Sequence, residues 1–548
     1  MKIKDLIFYI SLIILCIFMI FFMNKKHGFH ADEMFSYGSS NYKYDNVFQP
    51  YGDRDYINKF INDNVKSIKD IIYYVYNVQI FINDIEKEKN EEVPIWKTKD
   101  DALKYVTLQS DEILNFFSVY YNQSRDTHPP LFYYLVHIVS IIFLNHFSKY
   151  TIFIINMIAF IGVNIIIKKM LNLIHKEHLT IPTMILYGLS IGAISTVMFQ
   201  RMYMLLTFFI IFYSYLCIKI IKNDFKLSKE LRLKMGIIII LGFLTHYYFC
   251  IYAIFFAFFL GIKTYKKYGK KEFNKLIFYY CKIAIIGVLL FPASIYHIFF
   301  SYRGIGATTD NFSILDFFYL VCDAYSLNLI LGLVLFVLIS IIAIIKCKKK
   351  KDAINLVLLI PTIGFIIICS KISPYLEMRY IMGILPIVAV IFWISIDDIF
   401  KSYKKQILSI IFILIIIFSI VKLSYREPLY LYSEYEKNIE IAKENYNKKF
   451  IYIGDNAYNH IQNMPEFMIY EKSLILNVNN NELKYLENNN ELIGEDSFIV
   501  SMKQYMNVQE IVEEVKSLTG YDNYNTLLNG EENIIFEFYE QENLQKSN

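Results

Sequence analysis

Cysteine is missing from the long polar segment near the N-terminus and from the polar C-terminal tail, so neither a disulfide framework nor a CxxC metal site is available there. The seven cysteines, Cys16, Cys217, Cys250, Cys281, Cys322, Cys347 and Cys369, all lie in or beside apolar runs. A charge excess is also lacking. Lys and Arg total 55 against 51 Asp and Glu, a net +4, and the cations gather in short clusters, so no nucleic-acid partner is expected. No internal repeat or low-complexity tract interrupts the chain, and no P-loop, GxSxG, HExxH or GxGxxG context supports the reactions those motifs serve. The first apolar run ends in Asn24-Lys25-Lys26-His27 rather than a small-residue cleavage site, which predicts a retained signal anchor.

What is abundant is apolar surface. Of the 548 residues 55% are hydrophobic and 17% aromatic, and the mean hydropathy is +0.36, too high for a soluble chain of this length. Residues 6–23, 151–167, 354–368 and 407–421 are nearly free of charge and approach the roughly 20 residues that cross about 30 Å of hydrocarbon as a helix. Backbone polar groups in lipid need internal partners, so these runs are expected to be helical.

The polar stretch 24–127 is too long for a simple inter-helix connection and is expected to be structured. Within it Ile68, Ile71, Ile72, Val75 and Ile82, and then Leu103, Val106, Ile113, Leu114, Phe117, Tyr120 and Tyr121, recur at mostly helical spacing, which predicts two amphipathic surface helices. Basic clusters at 168–169, 219–234, 263–275, 346–351 and 401–405 are expected in the cytoplasm by the positive-inside tendency. The opposite ends then hold 200–201, 245–246, 301–313 and 371–379, with everything after 424 outside. Residues 131–167 can be two short spans joined at 145–149, yet two full crossings there conflict with a cytoplasmic Lys168-Lys169, and 235–262 is more than one crossing and less than two, which leaves 11 to 13 spans. Residues 425–548 return to soluble composition, with strand-like runs at 450–453, 473–478, 497–501 and 533–538 and a helical pattern at 508–518, which predicts a small α/β domain.

The chemistry-bearing residues fall at the predicted outer ends. Asp32-Glu33 lies nine residues past the first apolar run; one carboxylate could address a substrate while its neighbour orients it or binds a cation, although such a pair is also ordinary at a helix start. Asp126-Thr127-His128-Pro129-Pro130-Leu131-Phe132-Tyr133-Tyr134 opens the second apolar run, and the prolines suit the first turn of a helix. They do not explain an Asp and a His at the same point. Arg201, in Phe199-Gln200-Arg201-Met202-Tyr203, and Arg379, in Glu377-Met378-Arg379-Tyr380, are positive on the side where positive charge is less expected. Arginines at helix ends commonly snorkel to headgroups, yet fixed guanidinium groups also suit a leaving phosphate. Thr245-His246-Tyr247-Tyr248 interrupts a very apolar stretch and offers a ligand or proton carrier. Asp53-Arg54-Asp55 spells a DxD, but without a surrounding Rossmann-like pattern it is discounted.

In this order the motifs resemble the GT-C glycosyltransferases, in particular the bacterial relatives of protein O-mannosyltransferases and of the aminoarabinose transferases of lipid A (glycosyltransferase family 39). The resemblance runs from about Phe29 to Pro386, and HPPLxYY with an upstream DE is its specific part. It implies an all-α polytopic membrane protein of the GT-C type with a small C-terminal α/β extracytoplasmic domain, divided as 1–424 and 425–548. It also implies transfer of a sugar from a polyprenyl-phosphate donor to a glycan, lipid or protein acceptor at the outer face. Asp32, Glu33 and Asp126 would be the catalytic carboxylates. His128, Arg201, Tyr203, His246, Tyr247 and Arg379 would bind substrate, with the arginines on the phosphate. Many relatives carry an acidic residue and alanine before the arginine of the RMY motif, where this chain has Phe199-Gln200. A single displacement predicts inversion at the anomeric carbon. A divalent metal stays an open cofactor question, because His246 with one carboxylate does not define a site. The competing class is a lipid or envelope-glycan transporter or flippase; transporters place polar groups near mid-membrane, whereas here they gather at helix ends.

Overall fold

The computed structural model describes residues 3–45, 47–52, 55–77, 80, 83–84, 93–301, 312–349, 354–399, 405–456 and 458–540. Asp53 and Arg54 of the DxD, Ile82 of the first amphipathic pattern, 302–311 of one outer segment, and 350–351 and 401–404 of two basic clusters lie outside the described residues.

The protein is a multi-pass helical membrane protein with a small mixed sheet. Among the described residues seven helices are long and apolar enough to cross a bilayer, and nine if two bent pairs each count as one span. The bent pairs are Glu177–Gly188 with Ile191–Met198, at 64°, and Ile314–Ala324 with Leu329–Ile345, at 96°. These counts lie below the 11 to 13 expected, for local reasons. The helix after the proline pair, Leu131–Ser140, has only 10 residues, and the crossing falls to Tyr150–Leu173, which removes the conflict with Lys168-Lys169. The 235–262 stretch breaks at His246, leaving Lys229–Thr245 as a 17-residue helix of about 25 Å. The 43-residue helix Tyr248–Leu290 counts once although Gly269, at φ 77° and ψ −174°, divides it into two arms. That backbone conformation is open to glycine and closed to almost every other residue.

Two compact units partition the contacts. One comprises Met1–Asn24, Gln123–Leu135 and Tyr150–Leu429. It is the helical bundle. In it Tyr150–Leu173 packs on Tyr203–Lys222, and Tyr248–Leu290 packs on both Lys229–Thr245 and Ile354–Ile372.

The other unit comprises Lys25–Asn122, Val136–Lys149 and Tyr430–Asn548, so the large loop clusters with the tail rather than with the helices it follows in sequence. Its sheet has the order β1-β3-β2-β4-β6-β5, with β1 Lys97–Thr98, β2 Lys449–Gly454, β3 Lys472–Asn477, β4 Ser497–Lys503, β5 Asn523–Asn529 and β6 Asn533–Tyr539. Strands β3, β2 and β4 are parallel and β4, β6 and β5 antiparallel. The four expected strands and the 508–518 helix, here Val508–Thr519, are present within one or two residues. Ile451, Leu474, Val500, Val515 and Phe536 belong to one core, against which Trp96 of the loop packs. Two strands carry no sequence signal: β1 has two residues and pairs Lys97 with Ser473, and β5 is a polar edge strand bulged between Thr526 and Leu528. Of the amphipathic helices, Ile68–Tyr76 forms, whereas the second pattern is split into Lys99–Val106 and Phe116–Arg125. Between them the polar residues favour turns: Glu112 N–H donates to Gln109 O at 3.0 Å and Asn115 N–H to Glu112 O at 2.9 Å.

Candidate active site

In the helical unit the motifs meet at helix ends. Helix Leu131–Ser140 starts directly after Pro130, whose carbonyl accepts the Tyr134 N–H at 3.0 Å. That fixes the two preceding polar residues: His128 Nδ1 lies 2.9 Å from Asp126 Oδ2, with the side chains 12% and 23% exposed. Arg201 sits in the short connection between Ile191–Met198 and Tyr203–Lys222. The connection is pinned from a neighbouring helix by Asn156, whose side-chain amide donates to Val197 O at 3.0 Å and to Phe199 O at 2.9 Å. Phe199 and Tyr203 stack at 5.5 Å, and the Arg201 guanidinium lies 6.0 Å from the Tyr133 ring centre.

His246 occupies the break between Lys229–Thr245 and Tyr248–Leu290. The break is tight because Gly242 lets the Phe249 ring lie where a Cβ would sit 2.6 Å from it. The His246 ring is 5.8 Å from that of His128, 5.5 Å from Tyr203 and 4.8 Å from Tyr248. Burial holds its imidazole well below the usual range, and the charges of His128 and Arg201 push the same way. Both effects favour the neutral ring.

Arg379 joins the same cluster through aromatic rings. Its guanidinium lies 5.3 Å from the Tyr380 ring centre, Tyr380 is 5.7 Å from Tyr248, and Arg379 Nη2 pairs with Glu377 at 2.8 Å. Tyr247 points elsewhere: its hydroxyl lies 2.9 Å from His297 Nδ1, while His297 Nε2 is 3.0 Å from Ser124 O. Burial lowers the His297 pKa, and the Ser124 carbonyl opposes it. Asp126, His128, Arg201, Tyr203 and His246 thus form one cluster, Arg379 borders it, and Tyr247 supports a buried histidine beside it.

The carboxylate pair belongs to the other unit and its members differ. His30 caps helix Ala31–Asn41, accepting the Asp32 N–H at 3.1 Å, while Glu33 reaches back to the His30 N–H at 2.7 Å. Glu33 is fully buried and pairs with an equally buried Lys26 at 2.9 Å; Lys26 also donates to Tyr430 O. Burial draws Lys26 below the ordinary amine range and Glu33 pushes it back. Asp32 is 26% exposed, 3.7 Å from His30 Nδ1. Of the two, Asp32 can meet a solute.

Sequence pattern assigns no site role to Asn156, Lys26 or His297, and Tyr248 is visible only as the end of the Thr245-His246-Tyr247-Tyr248 motif. A signal existed for Asn156 and His297, since polar and ionisable groups inside apolar runs are costly unless used. Among the described residues no group of three or more His, Cys, Asp or Glu is arranged to hold a metal ion.

No protein-family model matches the chain, and no curated protein matches it either. The structure is similar to that of ArnT from Cupriavidus metallidurans bound to undecaprenyl phosphate, with 10% identity, a TM-score of 0.51, and coverage of 75% of this chain and 87% of that one. The apo state of the same protein has 11% identity, a TM-score of 0.47 and the same coverage. At such low identity the likeness to the bound form speaks to fold alone, and the fold this chain adopts is ArnT-like.

Proposed function

We infer that the protein is a membrane glycosyltransferase that takes a sugar from a polyprenyl-phosphate carrier and delivers it to an acceptor at the outer face. One observation carries the reading. Arg201 and Arg379 are only 4% and 6% exposed, held within protein beside His128, His246 and their tyrosines rather than extended towards headgroups. Planar guanidinium groups held in place this way suit a lipid phosphate that gains charge as it leaves. The fold supports this, because the similar ArnT structure is one bound to undecaprenyl phosphate.

In the proposed reaction the Asp32 carboxylate takes the acceptor hydroxyl proton as that oxygen bonds to the anomeric carbon. The bond from that carbon to the phosphate oxygen breaks, and Arg201 and Arg379 hold the charge gained by the departing polyprenyl phosphate. Asp126 orients His128 at the same cluster. The active site and residues 425–548 face outwards in this reading, following the basic clusters.

Purified protein is expected to transfer sugar from a polyprenyl-phosphate donor and to be inactive with nucleotide sugars alone. Equal activity with a nucleotide sugar and no lipid would sink the reading; translocation of lipid into proteoliposomes without transfer would favour a transporter. Arg201→Lys and Arg379→Lys keep the charge but lose the planar fork, so each is expected to lower activity by on the order of 10²-fold while the protein still inserts. Wild-type rates in both, measured at saturating donor, would return these arginines to a packing role.

A further inference from the structure

The helical unit holds a second feature, lined by none of the residues of the HPP, RMY and THYY motifs. A cavity of about 1100 Å³ opens between helix Lys229–Thr245 and the 270–290 arm, with residues 225–227 at one end. That exceeds the roughly 300–1,000 Å³ of ordinary small-molecule pockets. Its lining includes five cations, Lys226, Lys229, Arg232, Lys275 and Lys282, against one carboxylate, Glu272. Glu272 is already paired with Lys275 at 2.6 Å. Among the described residues no carboxylate lies in ion-pair range of Lys226, Lys229, Arg232 or Lys282, so the cavity keeps a concentrated positive charge.

The rest of the wall is apolar, and much of it is uncovered: Leu233 is 66%, Ile237 46% and Phe278 72% exposed. The two kinds of group are ordered along the helices. Lys229 and Arg232 occupy the first turn of their helix, whereas Ile237 and Ile240 lie about two turns further, and Ile283 and Ile286 follow Lys275 and Lys282 on the other arm. The walls are tied at the level of Arg232, whose carbonyl accepts the Tyr279 hydroxyl at 2.6 Å. A cationic mouth leading into an apolar cleft matches one ligand chemistry, a phosphate head on hydrocarbon tails. A free phosphate leaves the apolar wall wet, and a neutral lipid leaves the cations uncompensated.

We propose that this cavity is a binding site for an anionic phospholipid, its phosphate held by Lys226, Lys229 and Arg232 and an acyl chain lying along Leu233, Ile237 and Phe278. The site is independent of the transferase reading and concerns the bilayer in which the enzyme works.

The test is native mass spectrometry of the purified full-length chain titrated with phosphatidylglycerol or with phosphatidylcholine of the same acyl chains. One phosphatidylglycerol is expected to be retained at least about tenfold better than phosphatidylcholine. At about fivefold for each cation removed, Lys229→Gln with Arg232→Gln is expected to weaken retention roughly 25-fold. The paired control Lys266→Gln with Lys271→Gln, outside the lining, is expected to change it little. Ile237→Trp fills the apolar wall without touching a charge and is expected to lower retention as well, which keeps the test decisive should the double variant misfold. Equal retention of the two lipids, phosphatidylglycerol binding unchanged in both cavity variants, or competition by inorganic phosphate at the same concentration as by lipid would each overturn the proposal.

Discussion

Asp32→Asn is expected to lower sugar transfer by on the order of 10² to 10⁴-fold, with donor binding close to that of the native enzyme. Asparagine matches aspartate in size and keeps its place in the first turn of helix Ala31–Asn41, so the N–H that bonds His30 is undisturbed. Only the ability to take a proton is lost. The side chain is partly exposed, unlike that of its neighbour, so an acceptor hydroxyl has access to it. Single-turnover transfer measured beside donor binding separates the two effects, and an Asp32→Asn enzyme that turns over at the native rate ends the assignment of Asp32 as base.

Glu33→Gln should fail in a different way, through stability. Its carboxylate neutralises a fully buried ammonium, Lys26, and caps the His30 N–H. Removing one partner of a buried ion pair typically costs about 3–5 kcal/mol, because the other charge stays desolvated and unpaired. The thermal inactivation midpoint is therefore expected to fall clearly in Glu33→Gln and to stay near native in Asp32→Asn. Replacing both charges, as in Lys26→Met with Glu33→Leu, removes the uncompensated ammonium and should recover much of the loss. A Glu33→Gln protein as heat-resistant as the native one would show that the pair contributes nothing to holding the helix.

These two predictions concern adjacent residues that look alike in the sequence. Helical periodicity could say only that Asp32 and Glu33 point in different directions; which one turns inward depends on Lys26 and on the Tyr430 carbonyl, some 400 residues away in the chain. The arginines are similar. Position at a run's end fits both snorkelling and phosphate binding; the burial beside His128, His246 and Tyr380 that argues against snorkelling needs four distant segments to be packed together.

Local pattern alone determined a good deal of this protein. Uncharged runs of about 20 residues mark membrane helices because unsatisfied backbone groups are too costly in lipid, and the proline pair marks the start of Leu131–Ser140 because its missing N–H has no partner there anyway. The buried strands β2, β3, β4 and β6 are legible because each is a short apolar run bounded by turns. Tertiary structure decided what depends on long-range pairing. It recruited the two-residue β1 of the loop to β3 of the tail and broke the 235–262 run at His246, where Phe249 folds onto Gly242. It also gave Glu33 to Lys26 while leaving Asp32 partly in solvent. The physical reason is that periodicity and turn chemistry act within a few residues, whereas burial and charge pairing are set by whichever distant segment arrives to cover the group.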